Sequence, residues 1–163
     1  MLDTADVTRQ FIETIIEIIG RKTSQEYAAV TIRNLLIKLQ SAYPFLRDIE
    51  IKNTRVLEME GTVVVHDALN EISPKEVGKA LKELVVKIMI SLGKTAGYFF
   101  IRETREKIGI EYDRILLKIM DVDLSLMQSS LILEKKSINI LEIQKSDVIR
   151  IFLKILIHSV KKQ

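Results

Sequence analysis

The sequence contains no cysteine and no tryptophan, and its 163 residues include only 6 glycines and 2 prolines. The absence of cysteine excludes a disulfide scaffold, a thiolate nucleophile and any metal site built on thiolates. The low glycine and proline content excludes collagen-like and low-complexity chains. No apolar run reaches the roughly 18 residues that span a bilayer, and the first residues lack the pattern of a secretion signal. We therefore expect a cytoplasmic protein with no membrane partner.

The composition that remains favours a folded chain. Hydrophobic residues make up 47% of the sequence and the net charge is only +3, which excludes a disordered chain. The length suits one domain, so we predict a single mainly helical domain over residues 1–163. An isoelectric point near 9.0 permits a polyanionic partner but lacks the charge density of a dedicated nucleic-acid binder. Frequent Ile, Lys and Glu are typical of thermophilic proteins.

Hydrophobic spacing of three and four residues predicts most of the helices. The first covers residues 4–19 and is placed to end at Gly20. The second begins at the capping box Thr23-Ser24-Gln25-Glu26 and runs to about Gln40, before Pro44. The link between them is short, which predicts an antiparallel helical hairpin. Further helices are expected over residues 98–108 and 111–120, separated at Gly109.

The strongest local signal is Ser73-Pro74-Lys75-Glu76. Ser73 and Glu76 have the spacing of a capping box, Pro74 suits the first helical position, and Ile72 can pack on Val77. The helix that follows, residues 74–92, is apolar on more than one face, since Val86 and Ile90 lie opposite its main apolar face. We therefore predict that this helix is central. Gly93 and Gly97 either break it or allow a close approach of another backbone.

A change of period marks residues 48–66. Apolar residues alternate there with polar ones, notably at Leu57, Met59, Val63 and Val65, which predicts half-buried strands in a small antiparallel meander. The predicted fold class is therefore mainly α, a helical bundle of about five to six helices with this meander, and α+β is the alternative.

Residues 121–143 carry two periods at once. Val122, Leu124 and Leu126 alternate as in a strand, whereas Leu124 and Met127 fit a helix that continues from Met120. We favour a helix to about residue 133 and leave the rest open.

The last predicted helix, about residues 147–161, is apolar around most of its circumference. A basic stripe interrupts this apolar surface and is a possible polyanion contact. The simpler explanation is that an otherwise apolar helix needs one polar side exposed to solvent. The stripe consists of Arg150, Lys154, His158 and Lys161, with Lys162 beside it. The apolar side is a possible self-association face, formed by Val148, Ile151, Phe152, Ile155 and Leu156.

Two segments resemble ligand-binding loops but lack their key residues. Gly93-Lys94-Thr95 matches the end of a phosphate-binding loop, which requires another glycine where this chain has Ile88. Asp121-Val122-Asp123-Leu124-Ser125 begins like a calcium loop, which requires glycine and glutamate where this chain has Leu126 and Ile132. A helix bend and a helix cap are the better interpretations.

No catalytic, cofactor or metal site emerges from the other polar residues. His66 and His158 have no partner at ligand spacing, and the aromatic residues of 97–101 fit a helix core better than an RNA-binding sheet. Several glutamates fall on the outward arcs of helices, namely Glu13, Glu17, Glu83 and Glu106. We therefore predict no enzyme activity, no catalytic residue, no metal and no cofactor.

The sequence-based hypothesis is a non-enzymatic structural or protein-interaction module. Helices 74–92 and 147–161 both require contact on several sides, and a small bundle has one centre. The remaining apolar surface favours a homo-oligomer, most simply a dimer, and another protein is a further possible partner. The alternative is a nucleic-acid-binding regulator that uses the basic C-terminal helix.

Overall fold

The computed structural model describes residues 3–52 and 62–130, with the side chains of Lys94 and Thr95 left aside. Its elements are α1 (Thr4–Lys22), α2 (Gln25–Leu39), a 3₁₀ turn (Pro44–Asp48), β1 (Ile49–Ile51), β2 (Val63–Val65), a second 3₁₀ turn (Asp67–Glu71), α3 (Pro74–Leu92), α4 (Lys94–Ile108) and α5 (Ile110–Lys118). Residues 124–130 are helical as well. This mainly helical architecture with a small antiparallel sheet confirms the predicted fold class.

The first two helices form the predicted hairpin, but their junction lies later than expected. Gly20 does not end α1, which continues to Lys22. Thr23 is not the cap of α2, because its hydroxyl donates to the Ile19 carbonyl oxygen (2.9 Å) and so closes α1. Ser24 caps α2 instead, and its hydroxyl oxygen accepts from the Tyr27 amide at 3.1 Å.

Helix α1, rather than α3, lies at the centre of the described fold. It packs against α2, α4, α5 and β2, and its fully buried side chains include Phe11, Ile12 and Ile15. Helix α3 buries one face only and packs mainly on α4 and α2. The prediction of a central α3 was therefore wrong, because its second apolar face is left in solvent.

The start of α3 agrees with the sequence, but the predicted capping box is not formed. The helix begins at Pro74 after Ser73, yet the Ser73 side chain makes no capping bond. The Ser73 carbonyl oxygen accepts from the Val77 amide at 3.1 Å, as in any first helical turn. Val77 is buried, and Ile72 packs against the core beside it. Both residues of the predicted apolar staple thus belong to the core region at the start of α3.

The sheet has two described strands. β1 and β2 are antiparallel, with Ile49 opposite Val65 and Ile51 opposite Val63. Ile49, Ile51 and Val63 are buried, and β2 packs on α1. The predicted strand residues Leu57 and Met59 lie outside the described residues.

Two glycines with positive φ separate the last helices. Gly93 (φ 78°) separates α3 from α4, and Gly109 (φ 86°) separates α4 from α5. Glycine adopts such positive φ values without steric strain. Gly97 lies inside α4 and faces Met89 of α3. Gly93 is thus the break, while Gly97 belongs to the packing of α4 on α3.

The segment after α5 turns sharply back onto α3. Met120 is buried, and its carbonyl oxygen lies so close to Gly78 that a Cβ there would be 1.8 Å away. Asp121 adopts φ 59°, the left-handed region. The Asp123 carboxylate then accepts from the Leu126 amide at 2.8 Å and caps the helix of residues 124–130. Residues 124–130 are therefore helical and not a strand, but this helix starts anew at Leu124 and does not continue from Met120 as predicted.

Candidate functional site

Two recesses are lined by described residues alone. One, of about 300 Å³, is lined by Glu13, Ile16, Glu17, Gln25 and Thr62. Its Glu17 carboxylate is ion-paired with Lys107 of α4. The other, of about 230 Å³, is lined by Asp3, Thr4, Asn70, Pro74, Ile115, Ile119 and Met120. Within residues 3–52 and 62–130, no three His, Asp or Glu side chains lie where they could hold a metal ion.

The segments that resembled ligand loops have structural roles. Residues 93–95 form the corner between α3 and α4, and Asp123 is a helix cap. Phe100 is buried in α4, while Phe99 on the outer side carries the Arg102 guanidinium 5.0 Å from its ring centre. His66 is exposed at the end of β2, with its Nε2 3.4 Å from a carboxylate oxygen of Glu50.

The residues predicted for self-association and for polyanion contact lie outside the described part of the chain. They are Val148, Ile151, Phe152, Ile155 and Leu156 for the first, and Arg150, Lys154, His158, Lys161 and Lys162 for the second. Both remain predictions.

Helix α2 exposes an apolar stripe that the sequence analysis did not single out. Tyr27 is 60% exposed, Val30 39% and Ile37 55%, all on the side opposite the buried face of the helix. Asn34, also exposed, completes a spacing of three, four and three residues along α2, and the exposed Ser41 follows four residues after Ile37 in the turn that ends the helix. We call these five residues the α2 seam. Its spacing is that of the a and d positions of a helix that packs along another helix.

The α2 seam exists because α2 is apolar on two sides. Its inner side packs against α1 and consists of Ala28, Ala29, Ile32, Leu36 and Leu39. Arg33 lies outside the seam, and its Nε donates to the Ile51 carbonyl oxygen at 3.1 Å. The seam therefore carries no formal charge. Its spacing is visible in the sequence, but the stronger inner periodicity concealed it.

The outer side of α3 is a second continuous surface, which we call the α3 face. It consists of Lys75, Lys79, Lys82, Val86 and Ile90. Lys75 and Lys79 are exposed, Lys82 is half-buried, Val86 is exposed and Ile90 is 75% exposed. The first half of the face is therefore basic and the second half apolar.

One carboxylate from elsewhere in the chain lies at the basic half of the α3 face. Asp121 accepts from the Lys82 ammonium, with 3.0 Å between Oδ2 and Nζ. This hydrogen bond and the charge of Lys82 lower the pKa of Asp121, and the charges of Lys75 and Lys79 lower it further. Asp121 thus offsets one of the three lysine charges on this half of the face.

Tyr43 connects the segment after α2 with α3. Burial raises the pKa of its phenol, and the neighbouring Glu83 carboxylate of α3 raises it further. Its ring also packs edge-on against Phe45, with 5.9 Å between ring centres. The Tyr43 phenol thus lies beside the middle of α3.

Comparison with known proteins gives no match to a family model, to a curated protein or to a solved structure. In the part of the chain that is described, none of the helices combines the length and the apolar character needed to cross a membrane.

Proposed function

We propose that this protein is a non-enzymatic interaction module that self-associates through the α2 seam. The observation that carries the proposal is an exposed, uncharged stripe with coiled-coil spacing along α2. The five seam residues themselves are uncharged, so a contact between two seams opposes no like charges within the seam. A second copy is therefore the partner that the seam fits without any further assumption.

The position of Asn34 favours a parallel pairing of the two copies of α2. In a parallel pair Asn34 faces its own copy, so that each side-chain amide both donates and accepts a hydrogen bond. In the antiparallel pair with Tyr27 opposite Ile37, Asn34 would face Val30. An amide buried against an apolar side chain loses its hydrogen bonds, at a cost of about 1–3 kcal/mol. The Asn34 amide therefore favours the parallel pair.

The size of the seam indicates a reversible dimer. The exposed parts of Tyr27, Val30 and Ile37 amount to roughly 300 Å² per chain, since each such side chain carries about 150–250 Å² in full. At about 25 cal/mol per Å², burial on both chains contributes roughly 15 kcal/mol. The cost of association is about 4–15 kcal/mol, which leaves a net gain of at most about 11 kcal/mol. A micromolar dissociation constant corresponds to about 8 kcal/mol and lies within this range.

The experiment that tests this proposal changes one seam residue and one matched control. Ile37→Asp brings two carboxylates together in the dimer and should weaken association at least about tenfold. Ile110→Asp makes the same change on α5 at a position that is 80% exposed, and it should leave association unchanged. Sedimentation equilibrium of both variants measures the two constants. An equal effect of both variants, or no effect of Ile37→Asp, would refute the α2 seam as the contact.

A further inference from the structure

The α3 face has a chemistry that differs from that of the α2 seam. Its members recur at steps of four, three, four and four residues, so they form one stripe about 22 Å long on a helix that rises 1.5 Å per residue. Lysines occupy the first turns, and Val86 and Ile90 occupy the last ones. A partner that covers the whole stripe must be acidic at one end and apolar at the other.

The chain itself shows that the basic half of this face accepts a carboxylate. Asp121 reaches Lys82 from the segment after α5, at 3.0 Å, and it does so with a left-handed backbone. Its one negative charge leaves Lys75 and Lys79, both exposed, to face solvent. More carboxylates can therefore bind beside Asp121 without displacing it.

The apolar half of the face decides between an acidic protein and a nucleic acid. A nucleic-acid backbone offers phosphates along its full length. It would make no favourable apolar contact with Ile90, which is 75% exposed. An amphipathic acidic helix pairs its carboxylates with the lysines and packs its apolar residues on Val86 and Ile90. Such packing also removes apolar surface from water.

We propose that the α3 face is a docking surface for an acidic amphipathic helix of another protein. The partner carries carboxylates opposite Lys75, Lys79 and Lys82 and apolar side chains opposite Val86 and Ile90. Because this surface lies on another helix than the α2 seam, a self-associated protein can present it once per chain.

The test uses the full chain and a labelled model peptide. The peptide has Glu where α3 has Lys75, Lys79 and Lys82, Leu where it has Val86 and Ile90, and Ala elsewhere. A control peptide carries Lys in place of Glu, and a short DNA duplex is the third probe. Fluorescence anisotropy measures binding to all three at about 0.1 M salt, where charge attraction acts over about 10 Å.

Three variants show which residues carry the binding. We expect Lys79→Glu to weaken binding of the acidic peptide at least about tenfold, and Ile90→Asp about fivefold. Lys52→Glu makes the same charge change at an exposed lysine after β1, and should change the affinity less than about twofold. Ile37→Asp should leave peptide binding unchanged, which separates this proposal from self-association. Circular dichroism verifies that each variant is folded.

Any of three results would overturn the proposal. The first is the absence of saturable binding of the acidic peptide, and the second is an equal loss of binding in Lys52→Glu and Lys79→Glu. The third is tighter binding of the DNA duplex than of the acidic peptide, with no effect of Ile90→Asp on either probe. The third result would identify the lysines as a contact for phosphates.

Discussion

Gly78 and Asp121 determine how the segment after α5 meets α3. The backbone of Met120 packs directly on Gly78, where any side chain would collide with it. The turn that follows places Asp121 in the left-handed region and brings its carboxylate to Lys82. One glycine and one aspartate therefore hold the basic half of the α3 face in its observed form.

Substitution of Gly78 by alanine tests this close approach. The new Cβ would lie 1.8 Å from the Met120 carbonyl oxygen, so the backbone must shift. We expect Gly78→Ala to lower the free energy of unfolding by about 2–3 kcal/mol, despite the better helix propensity of alanine.

Gly97→Ala is the matched control, because a Cβ there meets Met89 at an ordinary 3.5 Å. It should raise the free energy of unfolding by up to about 1 kcal/mol. Urea unfolding followed by circular dichroism measures both variants. Equal effects of the two substitutions would contradict the observed packing of Met120 on Gly78.

Substitution of Asp121 by asparagine tests the charge at the same site. Asparagine tolerates positive φ, so the backbone is retained while the charge is lost. The pKa of Asp121 is lowered in the folded protein from its ordinary value of 3.8, by Lys82 first. Its charge therefore adds stability above pH 3.8, and this gain is lost as the pH falls through the lower folded value.

We therefore expect wild type to be more stable than Asp121→Asn at neutral pH, and the two to converge in strong acid. Thermal unfolding across the acidic range measures the difference. A difference that does not depend on pH would exclude the charge of Asp121 as its cause.

Single residues differ in how far the sequence reveals their role. Gly109 was recognisable as a helix break, because it lies between two periodic segments, whereas the sequence left open whether Gly93 breaks the helix. Gly78 lies inside a helical pattern, and only its contact with Met120, 42 residues further along the chain, explains it. The Thr23–Glu26 capping box predicted a cap one residue too early, since two adjacent hydroxyls compete for that role.

Among the elements, spacing predicted the helices well and their placement less well. The predicted segments 4–19, 74–92 and 98–108 correspond to α1, α3 and α4. Periodicity shows that a helix has an apolar face, but it does not show which helix reaches the centre. Helix α1 lies at the centre of the described fold, and the second apolar face of α3 is therefore exposed.

The same reasoning explains the two sides of α2. Its inner side gives the stronger periodic signal, because it supplies the contact with α1. Its outer side has the weaker signal and is exposed, which makes it available to a partner.

Cross-linking at Asn34 tests the proposed parallel pairing of α2. The chain has no cysteine, so Asn34→Cys provides a single thiol. In the parallel pair the two thiols face each other, and mild oxidation should give a disulfide-linked dimer at micromolar protein. Ser91→Cys places an exposed thiol on α3 as the control and should remain largely monomeric. Non-reducing electrophoresis shows the result, and equal cross-linking of both variants would contradict the parallel pair.

At the scale of the whole molecule, apolar helix surface exceeds what the described fold covers. Exposed apolar side chains lie on several helices and include Tyr27, Ile37, Ile90, Ile110 and Leu126. The sequence predicted this excess but assigned the contact to residues 148–156, which lie outside the described chain. The α2 seam is an exposed apolar surface within the described residues, and we propose it as the contact.

The most direct test of self-association through the α2 seam is the molar mass in solution as a function of protein concentration. Light scattering with size-exclusion chromatography, from about 1 to about 100 µM, covers the expected micromolar dissociation constant. For wild type we predict a mass that rises from 18.7 kDa toward twice that value. For Ile37→Asp we predict that the mass rises only at protein concentrations at least about tenfold higher than for wild type. A wild-type mass that stays at the monomer value across the range, or a dimer that Ile37→Asp leaves intact, would contradict the account.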